Sequence, residues 1–218
     1  VARMITTGLK FIDEVPFRDV YIYATVQNWE GKRMSKSLGT GLDPLELTAQ
    51  YGTDALRFAL TTGTSPGNDS RLSTEKMEAS RNFANKLWNA ARFVIRSFET
   101  GDTVAAEIDR AKLSVEDRWI ISRLNRTIAA VAGLMNDFQF GEAERQLHDF
   151  LWNEYCDWYI EFAKIRLQSG DTSPLPALAH VLEKALRLLH PFMPFLTEEL
   201  WQHLKKHRRG LETESIMI

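Results

Sequence analysis

Cysteine is nearly absent from this sequence. The single Cys156 among 218 residues excludes an intrachain disulfide and any cysteine-based zinc cluster, and it fits a reducing compartment such as the cytoplasm. No apolar run approaches the roughly 20 residues of a membrane span, and the N-terminus lacks a signal-peptide layout. Excess positive charge is missing too. The net charge of −2 provides no global basic field to recruit nucleic acid, so any RNA contact must come from a local patch. No dense carboxylate cluster makes a metal site, and there is no internal repeat or long low-complexity segment. What is present is a hydrophobic fraction of 44% with 11% aromatics, enough for a real core. The length allows one large or two modest domains. The start, Val1-Ala2-Arg3-Met4, has no initiator methionine and reads as a piece of something longer.

The informative stretch is Gly31 to Phe58, GKRMSKSLGTGLDPLELTAQYGTDALRF. Arg33-Met34-Ser35-Lys36-Ser37 is a short basic loop rich in hydroxyls. Gly39 and Gly41 follow, and then Asp43-Pro44, a helix start with an acceptor at the N-cap and proline in the first turn. Cations, hydroxyls and exposed backbone N–H groups on a loop suit a polyphosphate that redistributes charge during a reaction. Five such residues alone also describe an ordinary solvated loop.

The extended string resembles the KMSKS signature of class I aminoacyl-tRNA synthetases. Its continuation, Leu38-Gly39-Thr40-Gly41, Asp43-Pro44 and Tyr51-Gly52-Thr53-Asp54-Ala55-Leu56-Arg57, is similar to the subgroup serving branched aliphatic amino acids. Two departures stand out. Arg33 occupies the first lysine position, replacing a point donor by a planar fork, and Thr40 stands where asparagine is usual. Lys36 matches the second lysine directly.

Residues 2–9 read as helical. Asp19 to Val26 is β-rich and nearly all apolar, the pattern of a strand buried on both faces of a parallel sheet. A ligand loop beyond such a strand's carboxyl end is where open α/β sheets bind ligands. Short helices are expected at 43–50 and 53–61, and a domain boundary near Ser73. Beyond it five helices are expected: Ser73-capped to about Phe98, Ser114-capped to about Phe138, Gly141 to Gln168, Leu175 to His190, and one capped by Thr197 that frays in the basic run Lys205–Arg209. Helices of this length with short connections form a bundle. The fold class is therefore mainly α: residues 1–72 as the remnant of an α/β nucleotide-binding domain, and residues 73–218 as an all-α helical bundle.

Stepping about 100° per residue along the first bundle helix, Phe83, Leu87, Ala91, Val94 and Phe98 form one apolar stripe. Arg81, Asn85, Asn89, Arg92 and Arg96 fall on the opposite side, flanked by Trp88. From Lys76 to Phe98 the cations Lys76, Arg81, Lys86, Arg92 and Arg96 face only Glu78, a net +4. Arginine, asparagine and an indole are what single-stranded RNA recognition uses for phosphate pairing, base-edge readout and stacking. Periodicity alone favours an ordinary solvated face. However, Arg81-Asn82-Phe83-Ala84-Asn85-Lys86-Leu87-Trp88-Asn89-Ala90 closely resembles the opening of the anticodon-binding bundle of valyl-tRNA synthetases, as do Gly63-Thr64-Ser65-Pro66-Gly67-Asn68-Asp69 and Asn153-Glu154-Tyr155-Cys156-Asp157-Trp158-Tyr159.

Other features read as structural. Trp152, Tyr155, Trp158, Tyr159 and Phe162 are expected to be an aromatic core. Asp149, Glu154, Asp157 and Glu161 read as a solvated acidic stripe, and Cys156 as a small buried apolar residue. His190 to Trp201 resembles a segment shared by the subgroup and reads as a proline corner with apolar plugs.

The resemblance covers essentially the whole chain. It implies a parent that activates valine with ATP and magnesium and transfers it to tRNA(Val), monomeric and cytoplasmic. Lys36 would stabilise the ATP phosphates, with Arg33, Ser35 and Ser37 holding the loop against the nucleotide. Arg81, Asn85, Trp88, Asn89, Arg92 and Arg96 would contact tRNA. No His-x-Gly-His motif occurs among the five histidines, and no editing domain is present. Pocket contacts alone separate valine from a near-isostere only about 10²-fold, a known benchmark for valine-specific enzymes. This polypeptide alone is therefore expected neither to form valyl-adenylate nor to edit. Competing readings are an isoleucyl- or leucyl-type synthetase segment, against which the 63–69 loop and 81–90 helix weigh, and a non-catalytic RNA-binding module, against which Lys36 weighs.

Overall fold

A computed structural model describes residues 1–35, 41–98, 108–211 and 213–218. Among these, helices dominate. The first, α1 (Ala2–Phe11), is followed by an extended segment and the two-residue strand β1 (Val26–Gln27). Then come α2 (Pro44–Tyr51), α3 (Thr53–Thr61) and β2 (Ser70–Arg71), which pairs with β1 in parallel, Val26 opposite Ser70 and Gln27 opposite Arg71. The bundle comprises α4 (Thr74–Arg96), α5 (Val115–Asn136), α6 (Phe140–Asp149), a π-helical stretch (Phe150–Tyr159), α7 (Ile160–Gln168), α8 (Leu175–Leu189) and α9 (Pro194–Leu204).

Local side-chain caps set the starts of α2, α4 and α5. Asp43 accepts from Leu45 N at 2.8 Å, with Pro44 at the first helical position. Ser73 accepts from Lys76 N. Ser114 and Asp117 form a reciprocal capping box on α5. Asp117, fully buried, also accepts from Tyr159 Oη at 2.7 Å and Arg166 at 2.9 Å, tying the start of α5 to α7. α6, the π-helical stretch and α7 run on as one rod. No proline or glycine in FLWNEYCDWY forces the wider turn. Within that stretch Tyr155 and Tyr159 point inward, and Tyr155 Oη donates to Leu178 O of α8 at 2.9 Å.

Two cores result. The larger fills the bundle with residues such as Leu87, Leu124, Leu147, Leu178, Leu186 and Trp201. A smaller one gathers Leu47, Tyr51, Ala55, Leu56, Leu72 and Met77 under α2, α3 and the start of α4.

Three expectations need correction. The buried strand over 19–26 does not form: only Val26–Gln27 pairs, while Ile22 and Tyr23 are exposed. Its apolar residues lack flanking strands among the described residues, and an unpaired strand gains no ladder bonds. Thr197 does not cap the last helix. α9 begins at Pro194, as suits a residue whose missing N–H costs nothing there, and Thr197 lies buried inside it, donating to Met193 O at 2.8 Å. The Lys205–Arg209 run is not a solvated end. Lys205–His207 forms a 3-10 turn, Arg208 is buried, and His207 stacks on Phe98 with ring centroids 5.3 Å apart.

Candidate nucleotide loop and RNA face

The basic loop begins at a tight turn. Asn28 accepts through its side chain from Glu30 N and Lys32 N, while its own N–H donates to Lys32 O. Gly31 adopts φ +75°, and the Arg71 guanidinium packs against it where a Cβ would sit. Arg33 then bridges antiparallel to Gln27. Arg33 is exposed and Ser35 half-buried, so this part of the loop sits on the surface. Lys36 and Ser37 lie outside the described residues.

On α4 the polar side faces outward. Asn85, Asn89, Arg92 and Arg96 are exposed, and Trp88 is 38% exposed. Arg81 is half-buried, its guanidinium 5.6 Å from the Tyr51 ring centroid. Two shallow clefts of about 340 Å³ each lie on this helix. One is bounded by Tyr51, Asp54, Arg81, Asn85 and Phe195, the other by Asn89, Arg92, Phe93 and Arg96. Phe93 was not among the sequence-derived RNA-face residues. It is half-buried at the edge of the apolar stripe, where a periodicity count assigns it to neither side, and Lys164 lies 5.4 Å from its ring. Lys86 adds less free charge than its sequence suggests. It pairs with Asp157 at 2.5 Å and lies 4.0 Å from the Trp152 ring.

The other sequence candidates sort as follows. Tyr155 and Tyr159 are core as expected, but Trp158 is 59% exposed, so the aromatic set is not wholly interior. The acidic side chains carry partners: Glu154 takes two bonds of 2.6 Å from Arg123, Asp149 pairs with Arg145, and Glu161 with Lys164. Burial pushes the half-buried Cys156 thiol up to about 12, away from a reactive thiolate. His203 and His207 stand four residues apart, a spacing metal sites use but one that the sequence alone does not make into a metal site. His203 instead contacts Glu199, and no group of three potential metal ligands exists among the described residues.

The loop-bearing region is fastened to the bundle through α3. Asp54 Oδ2 accepts from Leu196 N at 2.6 Å, supplying to α9 the N-terminal acceptor that Met193 cannot. Burial raises the Asp54 carboxyl, opposed by the N–H groups of Leu196 and Phe195. Arg57 Nη2 donates to Pro191 O at 3.0 Å. At the other end of α3, Glu144 of α6, 1% exposed, accepts from the hydroxyls of Thr61 and Thr62. Burial pushes the Glu144 carboxyl up to about 8, against the two hydroxyls and the nearby Lys76 ammonium. Gly141 sits where α6 meets the 61–64 turn: a Cβ there would lie 2.3 Å from Thr64 O. None of these long-range partners has a local sequence signal.

Comparison with known proteins agrees with this layout. Residues 1–73 match the family described as tRNA synthetases class I (I, L, M and V), and residues 117–218 match the anticodon-binding domain of tRNA ligase. The chain is 57% identical over 208 residues to the valine–tRNA ligase of Dehalococcoides mccartyi strain CBDB1, covering 95% of this chain and 23% of that protein. It is 50% identical over 223 residues to the valine–tRNA ligase of Bacillus cereus strain ATCC 10987, covering 100% of this chain and 24% of that protein. The chain thus spans about a quarter of the length of the curated relatives it matches. Among solved structures, it superposes on an Agrobacterium radiobacter K84 LeuRS–tRNA–LeuAMS complex with TM-score 0.72, 23% identity and coverage of 93% of this chain and 25% of that one. Mycobacterium tuberculosis methionyl-tRNA synthetase with methionyl-adenylate gives TM-score 0.71, 20% identity and coverage of 91% and 40%. At those identities the likeness speaks for the fold alone. The high identity to valine–tRNA ligases along nearly all of the chain, together with the two family matches, places this chain in the class I tRNA synthetase family, as a homologue of one segment of valine–tRNA ligases.

Proposed function

We propose that this chain supplies the ATP-site loop and the anticodon-reading bundle of an enzyme that attaches valine to tRNA(Val) with ATP. The observation that carries the reading is the pairing, in one chain, of a class I synthetase match over 1–73 with an anticodon-binding match over 117–218. Lys36 stabilises charge on the ATP phosphates as the α-phosphorus is attacked, and Arg33, Ser35 and Ser37 hold the loop to the nucleotide. This is positioning and electrostatics, with no protein nucleophile. Magnesium travels with the phosphates and keeps most of its water shell. The bundle begins near Ser73, and Arg81, Asn85, Trp88, Asn89, Arg92 and Arg96 contact the tRNA through phosphates and stacking. The parent enzyme is a cytoplasmic monomer. No helix among the described residues is long and apolar enough to cross a membrane.

The test is binding of the chain to tRNA(Val) with its own and with an altered anticodon. Tighter binding of the matched form supports the reading, and equal binding of both removes the anticodon role. Arg92→Ala weakens tRNA binding and lowers the salt slope by about one phosphate contact. The chain alone gives no valine-dependent pyrophosphate exchange; measurable exchange would show that adenylate formation needs no more than these residues.

A further inference from the structure

A cleft of about 890 Å³ opens between the turn at 108–113, the outer face of α5 and α8. Its size falls within the usual range for small-molecule sites. It shares no residue with the two clefts on α4. α4 and α5 both pack on α8 and the π-helical stretch, but the cleft is lined from α5 and α8 and takes no residue of α4.

The chemistry of the cleft is one-sided. Arg110, Arg118 and Arg126 line it, all exposed, and no described carboxylate does. Two acidic residues adjoin these arginines in sequence, and both are committed elsewhere: Asp109 to Lys112 and to Ala111 N, and the buried Asp117 to Arg166 and Tyr159. The floor is apolar, from Leu113 and Ile121, and Asn125 and Ser122 project hydrogen-bonding groups between the cations. On the α8 side stands His180, whose Nδ1 lies 3.1 Å from Arg208 Nη2. A guanidinium can only donate, so Nδ1 is the acceptor and Nε2 carries the hydrogen. Burial and the neighbouring Arg208 pull His180 down to about 4, so the ring is neutral at physiological pH and its tautomer is fixed.

We propose that this cleft is a nucleotide-binding site in which Arg110, Arg118 and Arg126 take the phosphate while Asn125 and His180 address the edge of a base lying on the apolar floor. Guanidinium forks suit phosphate oxygens and also stack on planar rings, and a neutral imidazole donor beside an amide can meet a base edge without adding charge. The nucleotide can come from a single-stranded RNA or be free in solution. The site does not rest on the role assigned to α4.

The test titrates the 218-residue chain with each of the four nucleoside 5′-monophosphates by equilibrium dialysis, then adds a short single-stranded oligoribonucleotide as competitor. The expected result is saturable binding of at least one mononucleotide, weakened about tenfold or more by Arg118→Glu or Arg126→Glu and unchanged by Arg145→Ala, which removes a cation outside the cleft. Displacement by the oligoribonucleotide assigns the site to an RNA strand; binding without displacement assigns it to a free nucleotide. Thermal melts establish that the variants fold, and Arg118→Ala replaces either charge reversal that does not. Absence of saturable binding below about 1 mM, or binding that folded variants leave unchanged, overturns the proposal.

Discussion

The two regions of this molecule bury their apolar residues to very different degrees. In the first, Phe11 is 79% exposed, Ile22 68% and Tyr23 78%, whereas bundle residues Tyr155, Leu178 and Trp201 are each 0% exposed. Both regions are written in apolar residues. The bundle turns them inward because each helix finds several others to pack on. The segment up to residue 25 meets the rest through Ile22 O and Thr25 O, which accept from Gly67 N and Ser70 N, and through a docking of Tyr21 against Phe138 and Phe140. Hydrophobic sequence is therefore a statement about required cover, and contiguous exposed apolar surface marks a face made for contact.

The sharpest way to break that contrast is a matched pair of substitutions. Trp201→Ala empties a fully buried site and costs about 3–5 kcal/mol, while Phe11→Ser leaves chemical stability within about 0.5 kcal/mol. Urea unfolding monitored by circular dichroism reads both, and similar losses in the two would mean that the first segment is packed as tightly as the bundle. Next, Lys36→Ala in a longer ligase containing this segment slows adenylate formation about 10²–10³-fold and leaves tRNA binding intact. Unaffected activation would free the loop from the proposed role.

The junction gives a smaller, pH-resolved effect. In the unfolded chain Glu144 ionises near 4.5; in the folded protein it holds its proton up to about 8. The folded state therefore binds more protons across that window, so its stability falls as pH rises from about 4.5 to 8, by up to a few kcal/mol. Glu144→Gln flattens this slope in urea titrations run at several pH values, and an unchanged slope would place the titration elsewhere. Smallest is Asp54→Ala, which removes the acceptor at the start of α9 and costs about 1 kcal/mol, visible as faster amide exchange at Phe195 and Leu196.

What the sequence disclosed followed the range of each interaction. Asp43, Ser73 and Ser114 were legible as caps because a cap and its N–H lie within three residues. The exposed side of α4 was legible because helical periodicity sorts faces. Thr197 was misread because the true acceptor for α9, Asp54, lies 142 residues upstream of Leu196. Glu144 carries no local sign of its burial, since its hydroxyl partners come from residues about 80 positions earlier. Trp158 was placed inside because aromatic spacing on a regular helix pointed there, while the wider π-helical turn presents it outward. The 19–26 segment failed for the opposite reason: its local pattern is strand-like, but pairing is supplied by neighbours the pattern cannot name.

The hold of α3 on the corner between α8 and α9 has a practical meaning for dissection. Asp54 and Arg57 grip that corner from the other side of the Ser73 border, so a bundle expressed from residue 73 onward would be deprived of the fastener for its own final helix. A self-sufficient module should start no later than Asp43, keeping α2 and α3, because the thermodynamic seam runs ahead of the one that helix counting draws.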